Sequence, residues 1–292
     1  MKSIKGQTLY RAMRFSCCLA FGLYGYDAGV LGGVQVTAPF REALGNPTGS
    51  YIIPMVASSY TLAAAVCSLA VSLIVIGGSL QASSWSVGQI IAGRVLCGFG
   101  IGFISCAVPT YMAEMSLTEK ERGPEVALQC IFLVSGCAFA YWVDFGFTRL
   151  GNQLSWRFPL GFQALLAATS GVIMFLLPDT PRWYYARGRL EEADGILARL
   201  HDRPIYDLAV QNMQQSILSI EHEAEETKSL NVLDLIWDRS NLRVGRRIRI
   251  SLLILSLQQM MGINIAVYYS VTIFSQIGLS STISDPFLRI DW

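Results

Sequence analysis

Of the 292 residues, 52% are hydrophobic and only 15% charged, and 22 basic residues stand against 21 acidic ones. An average soluble domain carries about 25% charged residues, so this composition excludes an ordinary soluble enzyme and a disordered chain. The near-neutral balance leaves no field to attract a polyanion, which excludes a nucleic-acid partner.

The apolar residues cluster into runs of membrane-span length. A basic N-terminus (Lys2, Lys5, Arg11, Arg14) leads into a first span over 13–36. It lacks a small-residue cleavage site and is long enough to cross, so it reads as a transmembrane helix rather than a cleaved signal peptide. Its glycines (Gly22, Gly25, Gly29, Gly32, Gly33) permit close helix approach. A polar segment with Arg41, Glu42 and Asn46-Pro47 precedes a long apolar run over 52–80, and QASSWS at 81–86 is a weak break. A span over 87–112 carries Arg94. Charged residues fill 114–125, a further span covers 126–147, and after TRLGNQLSWR another covers 159–177. A polar block occupies 178–249, and a last span runs over 250–276.

The polar block holds eleven basic residues, of which Arg243, Arg246, Arg247 and Arg249 abut the last span. The positive-inside rule places this block and the N-terminus on the cytoplasmic side. Within it, Leu190–His201 and Ile205–Glu226 show helical apolar spacing and predict amphipathic helices. Parity conflicts with this placement, because five spans separate the two segments where an even number is required. The 52–80 run is itself anomalous: as one helix it would be about 43 Å long against a core of about 30 Å. Both observations fit two spans fused by loss of residues near Leu73-Ile74.

The seven cysteines (17, 18, 67, 97, 106, 130 and 137) lie in or beside apolar runs with no CxxC spacing, and read as small packing residues. His201 and His222 stand alone in the polar block, so neither a metal site nor a cofactor is expected. No paired carboxylates or Ser/His set share membrane depth, so no enzyme is expected either.

Two constellations carry chemistry. Asp27 sits in the middle of the first span and Arg94 near the start of the 87–112 span. An ionisable group at membrane depth faces a partner or a cavity. Together they read as a proton-coupling carboxylate tuned by a guanidinium, or as a static ion pair, or as an Arg that snorkels to the surface. The last span contains QQMMGINIAVYYS. Gln258, Gln259 and Asn264 offer neutral donors and acceptors suited to a sugar, with Tyr268 and Tyr269 placed to close over it. Gln259 and Asn264 would lie about 140° apart on a continuous helix. Interhelical hydrogen bonding is the alternative reading.

These motifs resemble the sugar porters of the major facilitator superfamily, especially fungal members. The QQxxGxNxxxYY pattern is matched by Gln258, Gln259, Gly262, Asn264, Tyr268 and Tyr269. Pro178-Asp179-Thr180-Pro181-Arg182-Trp183 is similar to the signature after the sixth helix. The fourth-helix pattern appears as Gly93, Arg94, Gly98, Gly100, Gly102, Pro109, Tyr111 and Glu114, followed by Arg122-Gly123 and the Trp156–Gln163 run. The resemblance implies that Gln258, Gln259 and Asn264 bind sugar, that Asp27 and Arg94 couple protons, and that Glu114, Arg122 and Arg182 join a cytoplasmic gate network with Arg94. A carboxylate at Asp27 implies symport rather than facilitated diffusion.

The chain also departs from the family. The loop motif between helices two and three is missing at Leu73-Ile74. Cys130 stands where a sugar-binding Gln is usual, with Gln129 one position before, and the chain ends after the seventh helix.

The expected fold is all-α: a polytopic transmembrane bundle, a partial major facilitator fold. Its expected parts are an N-terminal bundle (1–177, helices two and three fused), a cytoplasmic helical linker (178–249) and the first helix of a second bundle (250–292). The expected partners are a small-molecule sugar, protons and the lipid bilayer. The expected location is the plasma membrane, crossed several times, with the N-terminus cytoplasmic. The alternative is a truncated, non-transporting product that associates with a full-length porter.

Overall fold

The computed structural model describes residues 5–34, 37–43, 72–116, 119–150, 152–185, 187–227, 244–262, 264–265, 267–269 and 273. The regular elements among them are all helices: α1 (Gly6–Val34), α2 (Ala38–Ala43), α3 (Ser72–Ala82), α4 (Val87–Met115), α5 (Glu119–Thr148), α6 (Leu154–Phe175), α7 (Pro181–Tyr185), α8 (Leu190–His201), α9 (Leu208–Thr227) and α10 (Val244–Met260). By length and composition α1, α4, α5 and α6 can each cross a membrane. The chain divides into two compact units, Met1–Pro178 with Val267–Trp292, and Asp179–Ala266.

In the first unit, α1 is the most deeply packed span. Gly25, Gly29 and Gly33 recur every fourth residue, so they share one face. A Cβ on Gly25 would strike the Leu133 backbone; one on Gly29 would lie 2.9 Å from the Cys137 carbonyl oxygen. One on Gly136 would strike the backbone of Gly22. The α1 and α5 backbones therefore touch directly, the form of packing that small residues permit between membrane helices. On the other side, Gly77 and Gly93 bring α3 against α4: a Cβ on Gly77 would lie 2.7 Å from the Gly93 carbonyl oxygen.

These contacts fix helix directions. Gly25 opposes Leu133 and Gly33 opposes Asp144, so α1 and α5 run in parallel. Ser16 bonds Met174 and Tyr26 bonds Pro159, so α6 runs against α1. Arg157 lies over Trp85 at one end and Tyr111 bonds Pro178 at the other, so α4 follows α6. Gln81 meets Gly93 and Ile74 meets Gly100, so α3 opposes α4 and follows α1. The start of α1 and the end of α6 thus share one face. The stretch 44–71, on which the parity count turns, lies outside the described residues.

Several expected boundaries move. The first span begins at Gly6, not 13. The span expected over 126–147 becomes a helix from Glu119, because Glu, Lys and Arg favour helix while hydropathy marks only the apolar part. The span expected over 159–177 is Leu154–Phe175. Of the 52–80 run only 72–80 lies among the described residues, within α3. Helix α4 starts at Val87 as expected, capped by Ser86 Oγ, which accepts from Gln89 N (3.3 Å), while Gln89 Oε1 accepts from Trp85 N (3.2 Å).

In the second unit, α7, α8 and α9 pack around Tyr185, Ala193, Leu197 and Val210, with Met213, Ile217 and Leu218 against them. The helix predicted over Leu190–His201 forms with those limits, closed by Asp202 in the left-handed region (φ 51°). Glu191 and Glu192 in its first turn and Arg199 and His201 in its last complement the helix dipole. The other predicted amphipathic helix begins at Leu208, after Pro204 and a turn. Helix α10 exposes Leu252, Leu253, Ile254, Leu255 and Leu257 round its circumference, the pattern of a helix meant for an apolar surrounding.

Candidate functional site

The first unit brings two of the sequence-predicted residues together. Arg94 Nη1 donates to Asp27 Oδ1 at 2.9 Å and to the Asp27 carbonyl at 3.4 Å. Both side chains are 0% exposed. An ion pair so withdrawn from water persists only because each charge answers the other. The snorkelling alternative for Arg94 is thereby overturned, because its side chain turns inward to α1. Beside the pair, Gln81 donates its amide to Cys97 Sγ (3.1 Å), and Tyr26 donates to the Pro159 carbonyl (3.0 Å). Tyr26 also packs edge-on against Phe162, with 5.5 Å between ring centroids.

The second unit holds the amides. Helix α10 stops at Met260, and Gly262 takes φ +77°, a conformation that glycine adopts without strain. This break changes the geometry expected of a continuous helix. Instead of lying about 140° apart, Asn264 and Gln259 meet: Asn264 Nδ2 donates to Gln259 Oε1 at 2.7 Å. Gln258 and Gln259 are exposed and Asn264 is half-buried. The helix expected over 250–276 is therefore shifted and interrupted, beginning at Val244 and broken at Gly262. Broken helices that expose polar groups at membrane depth are a recurring way to build a ligand site.

The expected gate residues fall in three places. Glu114 is half-buried in the last turn of α4. Arg122 opens α5, its Nε donating to Ser116 Oγ at 3.4 Å. Arg182 lies on α7 in the second unit and is exposed. Tyr111, one turn before Glu114, donates to the Pro178 carbonyl (2.9 Å) and ties the end of α4 to the end of α6.

Two buried acids were missed in the sequence. Glu125 accepts from Tyr10 Oη (2.9 Å) and pairs with Arg14 at the end where α1 and α5 begin. Asp144, 1% exposed, lies against Gly33. Glu125 was hidden in a stretch read as a polar connection. Asp144 was a lone charge inside an apolar run, which is itself the signal that could have found it. The Gln position left open between Gln129 and Cys130 resolves as a buried Gln129 and an exposed Cys130.

An α-helical bundle with several membrane-length helices, a buried intramembrane ion pair and a helix broken beside paired amides defines a multi-pass membrane protein of the major facilitator fold. Residues 42–288 match the sugar (and other) transporter family, and the chain belongs to that family. It is 31% identical to the MFS-type transporter oryC of Aspergillus oryzae over 92% of this chain and 54% of that protein. It is 32% identical to the probable metabolite transport protein CsbC of Bacillus subtilis over 90% of this chain and 56% of that protein. The chain thus spans about half the length of the curated relatives it matches. Its fold superimposes on XylE of E. coli, a proton:xylose symporter, with a TM-score of 0.73, covering 96% of this chain and 65% of that one at 20% identity. These relatives are transporters, not enzymes.

Proposed function

We propose that the protein carries a sugar, a hexose or pentose, across the plasma membrane in symport with protons. The observation that carries this reading is the fully buried Asp27–Arg94 pair. Protonation of Asp27 would release Arg94 and relax the bundle, so proton binding and bundle rearrangement are one event. Gln258, Gln259 and Asn264 would bind sugar hydroxyls, and Glu114, Arg122 and Arg182 would latch the cytoplasmic side. Residues 1–177 act as the first bundle, 178–249 as a cytoplasmic linker and 250–292 as the start of the second bundle, with the N-terminus in the cytoplasm. Family membership and the likeness to a proton:xylose symporter support the reading.

Uptake of labelled xylose and glucose by transport-null cells expressing the chain tests it. Uptake that rises as the outer medium is acidified supports symport. A membrane-inserted chain that takes up neither sugar overturns transport by this chain alone and favours the alternative, a product that works only beside a full-length porter.

A further inference from the structure

Asp27, Glu125 and Asp144 are the buried acids among the described residues. Glu125 is neutralised by Arg14 and hydrogen-bonded by Tyr10 at the end where α1 and α5 begin. Asp27 belongs to the coupling pair. Asp144 has no place in the mechanism so far, although it lies inside α5, five residues before Arg149, and is 1% exposed.

Its position is specific. The carboxyl lies directly against α1: a Cβ on Gly33 would sit 2.7 Å from Asp144 Cβ and 2.8 Å from its Cγ. Gly33 is six residues beyond Asp27 on the same helix, a rise of about 9 Å toward the end opposite Glu125. Tyr26, next to Asp27, lies within electrostatic reach of both carboxylates, and Cys137 lies within reach of Asp144. One turn before Asp144, Tyr141 Oη donates to the Val267 carbonyl, in the segment that follows the amide pair. A Cβ on Gly32 would meet both partners of that bond, at 3.0 Å from Tyr141 Oη and 3.1 Å from Val267 O. Asp144 therefore sits where α1, α5 and the 267–269 segment converge, between the outer end of the bundle and the coupling pair.

We infer that Asp144 is a second proton-holding site, placed on the outer side of Asp27 on the proton's route to it. This rests on the symport reading above. A proton leaves water at the outer end and binds an Asp144 oxygen; it then passes through water to the Asp27 carboxylate, and Asp144 returns to its anion. Glycine at positions 32 and 33 keeps α1 close enough for the carboxyl to be enclosed by backbone and tyrosine rather than lipid. The ionisable groups on the elements around it are Tyr26 and Asp27 of α1, Cys137 and Tyr141 of α5, Arg149 just after it, Arg157 of α6, and Tyr268 and Tyr269.

The test has two arms. In the first, the purified chain in lipid nanodiscs is titrated by infrared difference spectroscopy. The wild type should show a pH-dependent protonated-carboxyl stretch that Asp144→Asn removes, Asp27→Asn leaves in place and Asp144→Glu shifts. A spectrum unchanged by Asp144→Asn overturns the inference. In the second arm, uphill sugar uptake and equilibrium sugar exchange are measured in the same variants. Asp144→Asn should lower uphill uptake about tenfold and flatten its pH profile, with exchange kept within about twofold of wild type; Asp144→Glu should restore the profile. Equal loss of uptake and exchange without rescue by Glu would show a merely structural acid and overturn the inference. A wild type that exchanges no sugar sinks the transport reading instead, while the infrared arm still decides the protonation of Asp144.

Discussion

Arg94 reaches across from α4 to place its guanidinium 2.9 Å from the Asp27 carboxylate, with neither side chain in contact with solvent. Removing one partner from such a pair strands the other charge. Arg94→Met should therefore cost about 3–5 kcal/mol of stability. Asp27→Asn combined with Arg94→Gln removes both charges and should recover most of that loss. Thermal unfolding in detergent measures both. A double variant as unstable as the single one would show that the charges themselves hold the bundle together.

The glycine seam gives a graded prediction. Gly25→Ala drives a methyl into the Leu133 backbone, which has no rotamer to yield, so a loss of at least about 2 kcal/mol is expected. Gly146→Ala, on the same α5 helix but with nothing within 4 Å of the new methyl, should instead stabilise by about 0.5–1 kcal/mol through helix propensity. Melting temperatures of the two variants should move in opposite directions.

Gly262 separates space from conformation. A Cβ there would meet nothing closer than Ile265 Cδ1 at 3.8 Å, yet φ is +77°. Gly262→Ala should cost about 1–2 kcal/mol through the left-handed backbone alone. It should also part Asn264 from Gln259 and raise the KM for sugar severalfold with little change in protein abundance. An unchanged KM would show that the break at Gly262 does not serve the amide pair.

Legibility in the sequence followed the kind of signal each element carries. Leu190–His201 was readable to the residue because its apolar spacing, its acidic start and its basic end agree. Asp27 and Arg94 stood out because single charges in apolar runs are expensive, while spacing alone left a snorkelling Arg94 open and only the family resemblance made it the partner of Asp27. Asp144 carries the same signal, yet nothing in the sequence names the partner helix that makes it meaningful. The Glu119 start of α5 was missed because hydropathy measures lipid fit, while helix formation extends through the charged residues that precede it. The Gln259–Asn264 contact was invisible because helical-wheel spacing assumes a continuous helix, and one glycine at φ +77° cancels that assumption.

His201 supplies a pH prediction outside the membrane. It is half-buried at the end of α8, with Nε2 3.4 Å from Met213 Sδ on α9. Burial, then the neighbouring Arg203, lowers its pKa below 6.5, with Asp207 opposing. The unfolded chain therefore takes up the proton first. The contribution of His201 is complete above pH 6.5 and is lost as pH falls from there through the folded pKa. Hydrogen exchange of α8 and α9 should quicken on acidification from about pH 7.5 to about pH 5.5, and His201→Gln should abolish that dependence. The opposite limb belongs to Tyr185, whose phenol donates to Asp194. Burial and that bond raise its pKa above 10.0, so the same helices should weaken as alkaline pH rises past that value.

The bond between Asn264 and Gln259 also fixes a polarity. An amide carries two N–H donors and one carbonyl acceptor. By giving one hydrogen to Gln259, Asn264 keeps its carbonyl oxygen and a single N–H for a ligand. Gln259, with its carbonyl engaged, faces outward chiefly as a double donor. The two side chains thus read as one bipolar unit, electron-poor at residue 259 and electron-rich at residue 264. A polyol laid across it must accept at one end and donate at the other, so two sugars differing only in the sense of a neighbouring pair of hydroxyls would meet this helix break as different molecules.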